Sequence, residues 1–444
     1  MKVAWFTPFS IKSAIGKYSQ IITEELIKYC DVDLWLAEDN NLLATDLQII
    51  KYTSETVNAA DLANYDLLFF NIGNYLYFHK EIYEISKKFK GVVILHDFVM
   101  HHFFTGYYFE CKKNPMKYVT EMERLYGESG KLIAEASISG KNLPVWETDE
   151  VADFPFFEKA IEGALAVITH SFFHADKVRK QFSEPIETLY FPFRQNKKIE
   201  NYDASEERKK LGIADGKLLL LTVGDVNPNK RVDKVLEALG KMKEAAEQVV
   251  YIIIGQNNHH KQYLARLRDL IDKYALHDVV KMLGYQPDDT LNAYMANADV
   301  FINLRYPATE GASWSLVEQL YFGKPIIVTD TGFYGELPSD CLIKIRPSHE
   351  DPDLSKVLET LIRDENLRAR FGSNGRRYAM KNFNVEKYCQ ELLFFAKCLT
   401  TSRPTMKLIQ KVADEFFAMG VYDDMNVVDN VSKEIYIFSR KKHT

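Results

Sequence analysis

The chain alternates short, continuous apolar runs with longer stretches of helical periodicity. In the first half the apolar runs are Val3–Thr7, Val32–Leu36, Leu67–Ile72, Val92–Leu95, Ala166–Thr169 and Thr188–Phe191. In the second half they are Leu218–Val223, Val249–Ile254, Val279–Leu283, Asp299–Leu304 and Ile326–Thr329. Runs this short that do not alternate with polar residues, separated by helical stretches, predict parallel strands covered on both faces by helices. Sheets of that kind bind ligands beyond the carboxyl ends of their strands. The residues just after each run therefore carry the functional information. The pattern breaks at Phe191-Pro-Phe-Arg194, and the polar stretch Gln195–Glu207 predicts a linker into a second sheet. After Pro347 come three helical stretches, Leu354–Arg363, Leu367–Lys381 and Val385–Leu399. The remainder, Thr400–Thr444, holds a helical run Met406–Met419 and a stretch Glu434–Phe438.

Composition narrows the classes. A chain of 444 residues is too long for one ordinary core and fits two domains with an addition. A formal charge of −6 with no basic block argues against a nucleic-acid partner. The five cysteines, Cys30, Cys111, Cys341, Cys389 and Cys398, lack metal-like spacing and read as thiols in a reducing compartment. The start MKVAWFTPFS reads as a strand rather than a signal peptide, and no apolar run reaches membrane-spanning length. The expectation is a soluble, cytoplasmic protein, with contact at the inner face of a membrane and self-association left open.

The most informative stretch is Tyr306–Phe322, YPATEGASWSLVEQLYF, set between the strands Asp299–Leu304 and Ile326–Thr329. It predicts strand, loop, helix, turn, strand. Glu310 lies in the loop, the small residues Gly311, Ala312 and Ser313 follow it, and Glu318 lies about two turns along the helix. Helix-start amides attract anions, and small residues let a ligand approach them. Two carboxylates repel phosphate but suit hydroxyl groups. A ligand with phosphate in the middle and hydroxyls on both sides is a nucleotide sugar.

This segment, with Gly323-Lys-Pro-Ile-Ile-Val-Thr-Asp-Thr-Gly332 and Glu336 after it, resembles the signature of retaining glycosyltransferases of family GT4. The resemblance implies the GT-B fold: two Rossmann-like, doubly wound α/β domains facing a cleft, with a C-terminal helical extension. It implies domains at 1–194 (acceptor side), 195–383 (donor side) and 384–444, a crossover helix and extension packing back on the first domain. It places Glu310 at the donor sugar, Gly311, Ala312 and Ser313 at sugar and diphosphate, and Glu318 at the ribose. After Leu218–Val223 the family has a Gly, an Arg and, further on, a Lys that hold the diphosphate. Here Gly224 is followed by Asp225, a departure, while Lys230 matches and Arg231 follows it. Arg231 or Arg305 is a candidate to replace the missing cation.

Further positions follow from the same resemblance. The turn Gly284-Tyr285-Gln286-Pro287 lies where the family reads the nucleobase, and His96, leaving its strand, lies where the family has a His near the donor sugar. Gly16 is what remains of a Gly-rich loop whose second small residue is here Ala14; it is either a site residue or a plain helix-start glycine. The cluster His96-Asp97-Phe-Val-Met-His101-His102 invites a metal reading, but its spacing matches no zinc pattern, and the family needs no metal. Asp31-Val-Asp33 precedes an early strand and is discounted as a metal motif. The aromatic run Phe103–Tyr108 and the helical Met116–Ala136 form an insertion beside the cleft, suited to acceptor specificity or simply core. Asn303-Leu-Arg-Tyr-Pro307 resembles members acting on bacterial surface polysaccharides.

The implied activity is transfer of a sugar from a UDP- or GDP-sugar to a glycan, lipid-linked or other glycoconjugate acceptor, with no cofactor beyond that donor. His96 and Glu310 are the implied catalytic residues. A non-catalytic GT-B scaffold within a glycosylation complex competes, motivated by Asp225, and a nucleotide-sugar epimerase on the same fold is a third reading.

Overall fold

The computed structural model describes residues 1–38, 40–194, 204–256 and 260–418. The first sheet comprises β1 (Lys2–Phe6), β2 (Asp31–Leu36), β3 (Ile49–Lys51), β4 (Leu67–Ile72), β5 (Val92–Leu95), β6 (Ala166–Thr169) and β7 (Ile186–Thr188). Its order is β3-β2-β1-β4-β5-β6-β7, parallel throughout. The second sheet comprises β8 (Leu218–Val223), β9 (Val249–Ile254), β10 (Val280–Gly284), β11 (Val300–Asn303), β12 (Ile326–Thr329) and β13 (Ile343–Ile345). Its order is β10-β9-β8-β11-β12-β13, also parallel.

Each sheet reverses its winding once, between β1 and β4 and between β8 and β11. Such switch points are where doubly wound sheets open a crevice. The continuous apolar runs are explained by two-sided burial. Leu220, Tyr251 and Ile302 face one core of the second sheet, while Leu219, Leu221, Ile252 and Phe301 face the other.

Several boundaries differ from the sequence pattern. The run expected as Thr188–Phe191 pairs only at Ile186–Thr188. Phe191 is instead buried by ring contacts with Tyr18, His170 and Trp314. The strands β3 and β13 add the sheet edges and were not anticipated, each being three residues long. The first helix runs Ala14–Leu26, starting where Ser13 caps it by accepting from the Gly16 amide at 3.1 Å. The expected aromatic insertion is core: Phe103, Phe104, Tyr107 and Tyr108 are buried. Beyond it the chain forms a helix over Pro115–Ile138.

Residues Met1–Tyr388 form one compact unit holding both sheets, and a second unit begins at Cys389. The last helix runs Val385–Ala418. The linker residues 195–203, most of the expected run Met406–Met419 at the side-chain level, and Glu434–Phe438 lie outside the described residues. Among the described residues no helix is long and apolar enough to cross a membrane.

Candidate active site

The loops beyond the carboxyl ends of both sheets enclose a cleft of about 520 Å³. The first domain contributes Lys12–Ile15 after β1, Tyr75, Phe78 and His79 after β4, and His96 and Asp97 after β5. The second contributes Asp225 after β8, Gln256 after β9, and Ala312 and Trp314 after β11. The two walls are stitched together at the loop that carries Glu310. The Gly311 amide donates to His96 O at 2.9 Å, and the Phe98 and Val99 amides donate to Thr309 O at 3.1 and 3.0 Å. Asp97 and Glu310 pair as an isolated antiparallel bridge. Gly311 is required here by close approach, since a Cβ would lie 2.6 Å from His96 O.

Glu310 is held as a carboxylate. Its Oε1 accepts from Arg305 Nε at 3.0 Å and from the Tyr334 hydroxyl at 2.6 Å. Burial opposes ionisation, but the guanidinium and the hydroxyl outweigh it and keep Glu310 below the usual carboxylate range. Arg305 is thus committed to Glu310. Lys230 sits in a 3-10 turn (Pro228–Lys230) under the end of β8, buried, and its Nζ donates to Val223 O. Burial and then the charge of Arg305 push its pKa well down. Glycine at 224, with φ of 105°, leaves room for that ammonium. Arg231, at φ 55°, turns its guanidinium elsewhere: it pairs with Glu350 at 3.1 Å and Asp149 at 3.8 Å and lies 5.3 Å above the Tyr306 ring.

The helix Trp314–Tyr321 starts with Ser313 as its cap, the Ser313 hydroxyl accepting from the Leu316 amide at 3.2 Å. Glu318 lies on this helix, half-buried; burial pushes its pKa up to about 7, with Lys17 opposing and Asp288 reinforcing the shift. Tyr285 is 70% exposed and, like Lys230, Glu310 and Glu318, is not among the residues lining the cleft. Gln286 folds back, its Nε2 donating to Leu283 O at 2.9 Å. Gly16 is buried in the first helical turn; a Cβ there would meet Ser10 O at 2.8 Å, so it serves loop–helix packing while Ser13, Ala14 and Ile15 face the cleft.

His96 is buried in a polar chain. Its Nε2 faces Asn71 Oδ1 at 3.0 Å and its Nδ1 faces His170 Nε2 at 3.2 Å. Burial and the neighbouring His170 and His79 imidazoles push its pKa well down, so the ring is neutral. His101 lies apart, held between Phe154 O at 2.6 Å and the Tyr118 hydroxyl at 2.8 Å. His102 approaches only Glu147, at 4.0 Å. Among the described residues no group of three or more His, Cys, Asp or Glu is placed to hold a metal ion. Asp33 of the DxD pairs with Lys2 at 2.9 Å.

Residues 203–378, the stretch that carries Lys230, Glu310 and Glu318, match the family described as Glycosyl transferases group 1. The second domain is a group 1 glycosyltransferase domain. Over 165 residues the chain is 28% identical to an alpha-monoglucosyldiacylglycerol synthase of Streptococcus pneumoniae, covering 37% of this chain and 36% of that one. It is 27% identical over 175 residues to the lipopolysaccharide glucosyltransferase WaaG of Escherichia coli, covering 39% and 44%. The chain thus spans less than half the length of these curated relatives. Among solved structures it is similar to HepE of Anabaena in complex with UDP and glucose, with a TM-score of 0.62 at 16% identity over 90% of this chain and all of that one. It is also similar to the WaaG crystal structure, at a TM-score of 0.58 and 18% identity, covering 90% of this chain and 99% of that one. At these identities the likeness shows the fold: both sheets together form the two-domain GT-B arrangement.

Sequence reasoning gave no role to Asp97 or Tyr334, which meet the Glu310 loop beside the cleft. Asp97 lines it; burial raises its pKa to about 6, against the Asn74 amide at 2.7 Å and with Glu310 adding to the rise. Its place next to His96 was the available signal. Tyr334 gave no signal, since 24 positions separate it from Glu310 and only the turn after β12 returns it. Glu336 reaches the first domain, its Oε2 accepting from the Phe173 amide at 2.9 Å.

Proposed function

We propose that the protein transfers a sugar from a nucleotide diphosphate sugar, UDP- or GDP-linked, to an acceptor hydroxyl with the anomeric configuration kept. One observation carries the reading: the Glu310–Ser313 loop of a group 1 domain is hydrogen-bonded across a cleft to His96 of the facing domain. In this reading Glu310, ionised against Arg305 and Tyr334, positions the donor sugar, and Glu318 binds the ribose hydroxyls. Lys230 and the amides around Ser313 stabilise negative charge developing on the leaving diphosphate, the electrostatic contribution that usually dominates. His96 forms the opposite wall. A closed cleft limits hydrolysis of the donor.

With Glu310 tied to Arg305 and Tyr334, attack by the acceptor on the face the leaving group departs from is favoured over a covalent intermediate on Glu310. The acceptor is a glycan or lipid-linked glycan of the kind used for bacterial surface polysaccharide. The relatives named for lipid and lipopolysaccharide glucosylation support that class, as do Tyr75 and Phe78, whose rings lie 5.2 Å apart at the cleft. The five scattered cysteines, without metal-like spacing, support a reducing, cytoplasmic setting.

Asp225 in the cleft favours a second reading, a scaffold that binds no donor. Calorimetric titration with UDP and GDP separates the two. One nucleotide is expected to bind, and Glu318→Ala and Lys230→Ala are each expected to weaken it about 10- to 150-fold, the worth of a lost charge-assisted contact. Absence of binding by the unmutated protein leaves the scaffold.

A further inference from the structure

A chain of polar contacts runs through the cleft wall between two fixed acceptors. His170 Nδ1 faces Leu189 O at 3.0 Å, and His170 Nε2 faces His96 Nδ1 at 3.2 Å. His96 Nε2 faces Asn71 Oδ1 at 3.0 Å, and Asn71 Nδ2 donates to Phe6 O at 3.0 Å. Each of these four contacts needs one hydrogen. A neutral imidazole supplies one ring N–H and the amide supplies its donor at one end only, so the three side chains supply three. With His170 donating to Leu189 O and His96 donating to His170, His96 Nε2 is a bare acceptor facing another acceptor. Turning the Asn71 amide over moves the mismatch to Phe6 O, and exchanging the His96 tautomer moves it to the imidazole pair. The chain is one proton short in every neutral arrangement.

We infer that the His96–His170 pair is a proton-binding site, filled when an anionic donor occupies the cleft, with His170 acting through His96 as the positioning residue. The inference rests on the donor reading above. The proton comes from solvent to His96 Nε2 and makes all four contacts donor–acceptor pairs. In the protein alone burial opposes it, holding His96 neutral and His170 down at about 4. A diphosphate brings negative charge into the cleft that His96 lines and reverses that balance. The proton then supplies positive charge on a wall of the same cleft where Asp225 stands in place of the family's arginine.

The titratable groups around the pair come from every packed element. They are His79 from the helix Leu76–Lys88, Tyr18 from the helix Ala14–Leu26 with its ring 4.7 Å from His96, and Tyr388, whose ring lies 6.3 Å from that of His170. Asp97 follows in the chain, beside Glu310. His79 is committed to Asn71 O at 3.0 Å, and the hydroxyls of Tyr18 and Tyr388 meet at 2.6 Å.

The test is calorimetric titration of the full chain with UDP, or GDP if that is the nucleotide bound, at pH 7 in two buffers of different ionisation enthalpy. This yields the protons taken up per nucleotide. His170→Phe leaves two contacts and two donors, His96 to Asn71 and Asn71 to Phe6 O, and so removes the deficit. Asn71→Leu removes it from the other end and guards against one variant failing to fold. The nucleotide's own ionisation cancels in the difference between proteins. Uptake is expected to be higher in the unmutated protein by about one proton, with its affinity weakening by up to ~10-fold per pH unit above neutrality and the variants losing that slope. Equal uptake in all three proteins would overturn the inference while leaving the donor site standing. Failure of both nucleotides to bind would overturn the two together.

Discussion

Substituting Gly311 by Ala tests the cross-cleft stitch most directly. The backbone at this position needs no left-handed conformation, so the cost is steric alone. The added Cβ would stand 2.6 Å from His96 O, 3.2 Å from His96 C and 3.3 Å from Leu95 O. All three are backbone atoms at the end of β5, buried in a parallel sheet, and none can swing aside as a side chain would. The loop must retreat, which breaks the 2.9 Å bond from the Gly311 amide to His96 O and strains the neighbouring bonds to Thr309 O. Overpacking of this kind costs about 1–3 kcal/mol, and a lost backbone hydrogen bond adds about 1 kcal/mol. Gly311→Ala should therefore lose about 2–4 kcal/mol in urea unfolding followed by tryptophan fluorescence, to which Trp314 at the start of the following helix contributes. Glu310 moves with the loop, and a displacement near 1 Å at a reacting centre costs about 100-fold in rate. A loss below ~0.5 kcal/mol, the range of an ordinary surface substitution, together with an unchanged transfer rate, would refute the idea that this loop registers the two domains.

Glu318→Gln probes a carboxylate whose pKa burial lifts to about 7 from an ordinary 4.5. A raised acid stabilises the fold fully below its unfolded value, and that contribution is lost as pH climbs through 7. The glutamine variant should match the unmutated protein near pH 4.5 and exceed it by up to about 3 kcal/mol at pH 8; a difference independent of pH in thermal scans would contradict the assignment. It should also bind nucleotide more weakly, stability and function opposing each other at one residue. Tyr334→Phe removes the 2.6 Å hydrogen bond to Glu310 and leaves Arg305 as its main partner. Because Glu310 sits below its ordinary value, the penalty is present at neutral pH and fades as pH falls through the folded-state value. A loss of about 1.5–3 kcal/mol is expected at pH 7, and an unchanged urea midpoint there would count against the buried ion cluster.

The sequence by itself determined the layered α/β architecture, because a strand buried on both faces must be largely apolar, and the short runs between the helical stretches are. It determined the spacing of Glu310 and Glu318, since a loop and the helix behind it are local. It did not determine β3 or β13, three-residue strands at the sheet edges of which only Ile345 is buried and which leave no pattern. Nor did it reveal that the first helix starts at Ala14, which depends on a single capping hydroxyl. The partners of the site were decided by the tertiary structure. Arg305 serves Glu310 rather than standing free, Arg231 is drawn off to Glu350 and Asp149, and Tyr285 stays at the surface. His96 meets Asn71 and His170 from 25 and 74 positions away. Those contacts exist because parallel strands deliver all their carboxyl ends to one edge, which brings residues together by strand order rather than by distance along the chain.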